Sequence, residues 1–235
     1  MAARPKALRP LADDIWVVER PQTFYGLPVG TRMTVIRLSG ARLLLHSPVA
    51  LDTELRAELD AIGRVSYAVA PNRVHHLYAG DVAKVYPGAR LWIGPGLERK
   101  RPDLEFVAVL GDESPEEWQG EVLQTFFRGR PYENEVVFFH RASRTLILCD
   151  LAFNFGPHAA APTRFLMKLI RSYGRFGPSK LDPWLIRDWN AARHSLERIL
   201  AWDFDRVVVA HGDVLESGGR EALREGYEWL LSRRA

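Results

Sequence analysis

Along the first part of the chain the apolar residues come in short runs rich in Val, Ile and Leu, broken by Gly and Pro: DIWVVERP, RMTVIRLSG and ARLLLHSPV. Runs of this length between breakers predict strands, and only a turn at Ser39-Gly40 separates the last two, which makes them a hairpin. The period then changes. Residues 51–62, LDTELRAELDAI, space their apolar positions as a helix does, with Asp52 and Thr53 available as its N-cap. VSYAVAP predicts a buried strand, followed by the polar loop PNRVHH, a helix over HLYAGDVAKVY that stops at Pro87-Gly88, and the short strand ARLWIG.

Three further strands follow, VLQTFFR, EVVFFHR and TLILCDL, with Ala142-Ser143-Arg144 turning between the last two. Residues 153–190 then mix Gly, Pro and aromatic residues around one predicted helix, Thr163 to Tyr173, and read as an inserted cap or lid. A helix from Asp188 to Trp202, the strand RVVVAHGDV and a last helix over EALREGYEWLLSRR complete the chain. No sequence repeat interrupts this order. A strand meander followed by mixed helices and strands predicts one α/β domain over residues 1–235, with two facing sheets, helices on their outer sides and a lid at 153–190.

Composition supports a folded chain. Hydrophobic residues make up 47%, aromatic residues 11% and charged residues 26%, enough apolar surface for a sizeable core. The net charge of +3 arises from 32 basic and 29 acidic residues that largely intermingle, which argues against a nucleic-acid partner. The one cysteine, Cys149, rules out an intramolecular disulfide and leads us to expect a reducing, cytoplasmic setting, with Cys149 itself packed in the apolar run TLILCD. Neither an export signal nor a membrane-spanning stretch is expected from the apolar pattern.

Against this background the histidines stand out by position. His75 and His76 follow one buried strand, Asp150 ends TLILCD, and His211 ends RVVVAH, so all four sit at strand ends. Strand ends hold side chains rigidly while leaving them accessible. Imidazoles with one carboxylate form a ligand set suited to Zn, Mn or Fe. The alternative is structural: histidines hydrogen-bonded to loops, with Asp150 capping the next segment or pairing with an Arg.

At these same residues the chain resembles the metallo-β-lactamase superfamily. There a strand is followed by H-x-H-x-D-H, a later strand ends in Asp and a final strand ends in His-Gly; here those elements read PNRVHH, LILCD and VVVAHG. RMTVIRL, HSPV, PNRVHH and YPGARLWIGPGL together resemble more closely an uncharacterised branch known as domain-of-unknown-function family 4336. The resemblance implies an αββα sandwich and, carried over by position, the metal ligands His76, Asp150 and His211. His75 stands at an Asp ligand position with a different ligand type. Pro71 and Arg73 occupy the positions of the first two histidines, and no His lies near FFRGRPYEN to complete the other metal set. What remains is a degenerate centre of at most one divalent ion, Zn ahead of Mn or Fe.

Two functions are compatible with such a centre. One is a mononuclear metal-dependent hydrolase of a small ester, thioester or phosphoester; the other is a non-catalytic domain that binds a small ligand or a partner after losing the dinuclear site. No G-x-S-x-G, P-loop or strand-to-helix G-x-G-x-x-G competes. Of the remaining residues, His46 is expected in the core, His140 facing outward, and His158 and His194 in solvent. Arg128 and Arg130 are expected in a solvated loop, with binding of a substrate carboxylate or phosphate as the alternative. Asp213 is expected to cap the chain beyond its strand, or else to orient a ligand. The stripe Phe165, Leu166, Leu169, Ile170 and Tyr173 is expected to pack on the domain rather than on lipid.

Overall fold

The structure is a computed structural model that describes residues 7–170 and 172–233. The first sheet begins with β1 (Arg9–Ala12) and β2 (Ile15–Arg20), followed in the chain by a small separate hairpin, β3 (Thr23–Phe24) and β4 (Leu27–Pro28). It continues with β5 (Thr31–Leu38), β6 (Arg42–His46), β7 (Arg64–Ala70), β8 (Arg90–Ile93) and β9 (Ala108–Val109), in the order β1-β2-β5-β6-β7-β8-β9. The second sheet has the order β10 (Val122–Phe126), β11 (Val136–His140), β12 (Thr145–Ile147), β13 (Arg206–Val208).

Helix α1 (Thr53–Ile62) connects the parallel strands β6 and β7, and α2 (Ala79–Val85) connects β7 and β8. After them come α3 (Leu97–Lys100), α4 (Ala161–Leu169), α5 (Asp182–Leu185), α6 (Trp189–Leu200), α7 (Gly219–Gly226) and α8 (Glu228–Leu231). The expected cap of α1 holds, with Asp52 accepting from the Leu55 N–H, and at the start of α6 Asp188 accepts from the Ala191 N–H.

Alternation along the strands builds the layers. On β6, Leu43 and Leu45 pack with Leu55 and Leu59 of α1, while Leu44 points the other way, into the space between the sheets. Facing it from β11 are Val136 and Phe138, with Trp118, Trp92 and Tyr67 filling the middle. Val137 and Phe139 turn to the far side, against Leu196 and Ile199 of α6 and Leu223 of α7. The pairing of β6 with β7 slips at Ser66, opposite the Leu43/Leu44 step, so Val65 and Ala68 both face α1 although three residues apart. Helix, sheet, sheet and helix are therefore stacked in the expected αββα order.

Several details differ from the sequence-based expectation. His140 is buried, because β11 is paired on both edges and covered on both faces; its Nδ1 lies 2.7 Å from Ser143 Oγ. The helix expected over Thr163–Tyr173 runs over Ala161–Leu169 instead, starting with Pro162 in its first turn and ending where the Ser172 and Tyr173 N–H groups fold back to the Met167 carbonyl. Its inner face is Thr163 and Met167, so Phe165 and Leu169 point into solvent rather than onto the domain. The last helix is split at Tyr227, whose ring is buried and whose hydroxyl donates to the Leu151 carbonyl at 2.7 Å. No helix among the described residues is long and apolar enough to cross a membrane.

Candidate metal centre

Immediately after β7, Asn72 shapes the loop. Fully buried, it accepts from the backbone N–H groups of Val74 and His75 at 2.8 and 2.7 Å, an Asx-type turn that aims His75 back across the strand ends. Its Nδ2 donates to Asp150 Oδ2 at 2.8 Å and to Glu135 Oε2 at 3.2 Å. Glu135, buried just before β11, also accepts from the Cys149 and Asp150 N–H groups at 2.7 Å each. Asp150 is thus held through its backbone by Glu135 and through its carboxylate by Asn72.

His211 arrives from the other sheet, past β13. Gly212 behind it has φ +90°, and a Cβ there would run into the Asn154 carbonyl, so the His-Gly pair is dictated by backbone sterics. Buried Arg32 of β5 donates to the Val209 and Gly212 carbonyls and pairs with Glu19 at 2.8 Å, tying this loop to the first sheet.

These supports bring His75, Asp150 and His211 together, with one ligand atom from each lying within 4.8 Å of the others. His75 Nε2 is 3.6 Å from Asp150 Oδ2, and His211 Nε2 is 3.6 Å from Asp150 Oδ1. His211 Nδ1 lies 2.8 Å from the Gly30 carbonyl, which can only accept, so Nδ1 carries the proton and leaves the Nε2 lone pair free. His75 Nδ1 is engaged by Ser47 Oγ at 2.9 Å, and its Nε2 is buried without a hydrogen-bond partner. Two imidazoles pinned at Nδ1, an unpartnered buried Nε2 and a carboxylate between them fit a divalent cation.

Electrostatics agree with this fit. Burial alone would raise the Asp150 pKa, but the His75 and His211 side chains outweigh it and hold the carboxyl well below the usual range. Burial, together with the Asp150 charge, pushes Glu135 up to about 7 against the two backbone donors. The site keeps its ionised carboxylate where the histidines converge.

His76 stands outside the cluster. Its Nδ1 lies 3.0 Å from Arg101 Nη1, a group that can only donate, so this lone pair is already used. Burial, then Lys100 and Arg101, push its pKa down to about 4. Where the superfamily pattern would have its first two histidines, the Pro71 carbonyl accepts from the Val136 N–H, and Arg73 donates to the Pro131 carbonyl at 2.7 Å.

Other expectations fare variously. His46 is a core residue, as expected, edge-on to Phe138 at 4.9 Å, with burial pushing its pKa down to about 3. Cys149 is buried, whereas His158 and His194 are exposed. Arg130, expected in solvent, is buried between Glu133 at 2.8 Å and Asp182 at 2.7 Å, because residues 178–186 fold over its loop. Arg128 remains partly exposed and pairs with Asp112 at 2.7 Å. The Asp213 N–H donates to the Asn154 carbonyl at 2.8 Å and its carbonyl accepts from Asn154 Nδ2 at 3.0 Å, contacts of its backbone rather than of its carboxylate. Ser47, Glu135 and Arg32 escaped the sequence reading; Asn72, an Asx residue three positions before His75, carried a turn signal that could have found it.

The cluster opens into a cavity of about 250 Å³, lined by Phe24 and Tyr25 of the β3–β4 hairpin, by Leu77, Tyr78 and Tyr132, and by Lys100. Comparison with solved structures decides the architecture. A metallo-β-lactamase from Hirschia baltica covers 99% of this chain and 100% of its own, with a TM-score of 0.64 at 13% identity. The chain has the metallo-β-lactamase fold. The Flv1 flavodiiron core from Synechocystis sp. PCC6803 matches at a TM-score of 0.67 and 15% identity, covering 95% of this chain and 60% of its own. FIM-1 from Pseudomonas aeruginosa, in its mono-zinc form, matches at 0.59 and 13%, covering 97% and 96%. A family model described as a domain of unknown function, DUF4336, matches residues 12–97, the part of this metallo-β-lactamase fold that includes His75 and His76. No curated protein matches the chain.

Proposed function

We propose that this chain is a mononuclear metal-dependent hydrolase acting on a small ester, thioester or phosphoester, with His75, Asp150 and His211 as protein ligands and Zn ahead of Mn or Fe. The observation that carries the reading is the convergence of their ligand atoms within 4.8 Å, with the imidazole Nδ1 atoms engaged elsewhere. Three protein ligands leave a coordination position for water, the arrangement of catalytic rather than structural zinc sites. A single ion suits this fold, since FIM-1 is known in a mono-zinc form, and Pro71 and Arg73 supply no imidazole for a second. His76, also carried over from the superfamily pattern, lies outside this ligand set, with its Nδ1 3.0 Å from Arg101 Nη1.

When bound, the cation supplies Lewis acidity and lowers the pKa of a coordinated water. The chain's own residues do the rest. Ionised Asp150 balances the charge, Asn72 fixes its carboxylate, and Glu135 holds its backbone. Phe24, Tyr25 and Tyr132 enclose the substrate body, and Lys100, which lines the cavity beside them, favours a substrate bearing an anionic group near the scissile bond.

The test is a panel of chromogenic esters, thioesters and phosphoesters, offered to metal-free protein and to protein loaded with Zn, Mn or Fe. Turnover should depend on metal and drop to the metal-free level in Asp150→Ala and His211→Ala. Equal turnover without metal would refute the reading. Ligand binding without turnover in the loaded protein would assign the chain to the non-catalytic class.

A further inference from the structure

Residues 157–187 carry exposed apolar and basic side chains that neither the metal-site cavity nor the core uses. Phe165 and Leu169, one turn apart on α4, are 73% and 71% exposed; Leu181 and Trp184, flanking the start of α5, are 55% and 78% exposed. Each element is anchored from its other side. Thr163 Oγ1 donates to the Pro28 carbonyl beside buried Met167, and Asp182 is locked to Arg130. None of the four apolar side chains lines the metal-site cavity.

Charge is distributed to match. The stretch contains Arg164, Lys168, Arg171, Arg175, Lys180 and Arg187 against one acid, Asp182, which is buried in its ion pair. In the rest of the chain acidic residues outnumber basic ones, so this stretch accounts for the net positive charge. Lys168, Arg175, Lys180 and Arg187 are exposed alongside the apolar residues.

We propose that residues 157–187 dock this protein on an anionic lipid surface, independently of any metal. Protruding Phe, Leu and Trp side chains interleaved with cations suit the boundary between lipid headgroups and acyl chains, where the rings partition and the cations meet phosphate. A rigid protein partner would instead need a separate pocket for each projecting side chain. Through Pro28 of β4 the surface adjoins the hairpin that carries Phe24 and Tyr25 to the cavity.

Co-sedimentation of the full chain with vesicles tests this, comparing pure phosphatidylcholine with phosphatidylcholine mixed with phosphatidylglycerol. The protein should pellet with the anionic vesicles only, and high salt should release it. The double variants Phe165→Ser/Trp184→Ser and Lys168→Glu/Lys180→Glu should each bind at least about tenfold more weakly. Their melting curves should match wild type, since all four positions are exposed. Failure of the wild type to pellet, equal pelleting with neutral vesicles, or undiminished binding by either variant would overturn the proposal. So would a dimer in solution that Trp184→Ser abolishes in a protein that ignores vesicles, since that would assign the surface to a second copy of the chain.

Discussion

At the residue scale, the candidate centre is defined less by the three residues that converge than by what holds them. Asn72 spends both ends of its amide: the oxygen turns the loop toward His75, and the nitrogen fixes the Asp150 carboxylate. Replacement by Ala should therefore weaken Zn affinity about 10- to 100-fold, measured by competition with a chelating dye. An affinity within about twofold of wild type would remove Asn72 from the account. Glu135→Gln should weaken it in the same direction, because the amide NH₂ must then face one of the two backbone N–H groups that the carboxylate now accepts. The candidate ligands were legible in the sequence as polar residues closing apolar runs. Glu135 and Ser47 were not, since each lies apart in the chain from the group it supports, and no local pattern marks a contact between the ends of neighbouring strands.

At the scale of elements, the strands and helices were legible where the period was clear, as in α6, and where a cap agreed with it, as in α1. Reading failed where tertiary contacts overrode the pattern. Periodicity in EALREGYEWLLSRR suggested one helix, yet Tyr227 breaks it to bury its ring, and His140 looked outward only while β11 was taken as half-exposed. Arg130 is the clearest case, for an Arg beside glycine reads as solvated until Asp182 is brought onto it. Removing one member of such a buried pair leaves the other charge uncompensated, so Arg130→Ala should cost about 3–5 kcal/mol in denaturant unfolding. A loss below about 1 kcal/mol would mean the pair is not desolvated. Burial, opposed by Arg130 and Ser179, pushes the Asp182 carboxyl from its ordinary value of 3.8 up to about 6. A pKa raised on folding means the folded state holds the proton more tightly. The stability this lends is complete below about pH 3.8 and is lost as pH rises through about 6. Unfolding free energy measured across that window should fall less steeply in Asp182→Asn than in wild type; identical slopes would contradict the assignment.

At the scale of the whole molecule, two sheets meet so that β7, β12 and β13 end at one place, and the functional residues are those that the fold delivers there. The packing between the sheets sets that geometry. Trp118, packed against Trp92 at 4.9 Å and Tyr67 at 5.9 Å, is fully buried in the layer between the sheets. Trp118→Ala should destabilise the protein by about 3–5 kcal/mol, read as a shift in the denaturant midpoint. Layer order was legible from alternation along the strands; strand-end placement suggested that His75, Asp150 and His211 could converge, and the family resemblance supported it, but composition and period say nothing about which strand ends meet. The most direct test of the central claim is the metal stoichiometry of protein produced without an affinity tag, by elemental analysis after incubation with Zn and desalting. The account predicts about one equivalent in wild type, and none in His211→Ala or Asp150→Ala proteins that remain folded. Two equivalents, none, or one that survives both substitutions would contradict it.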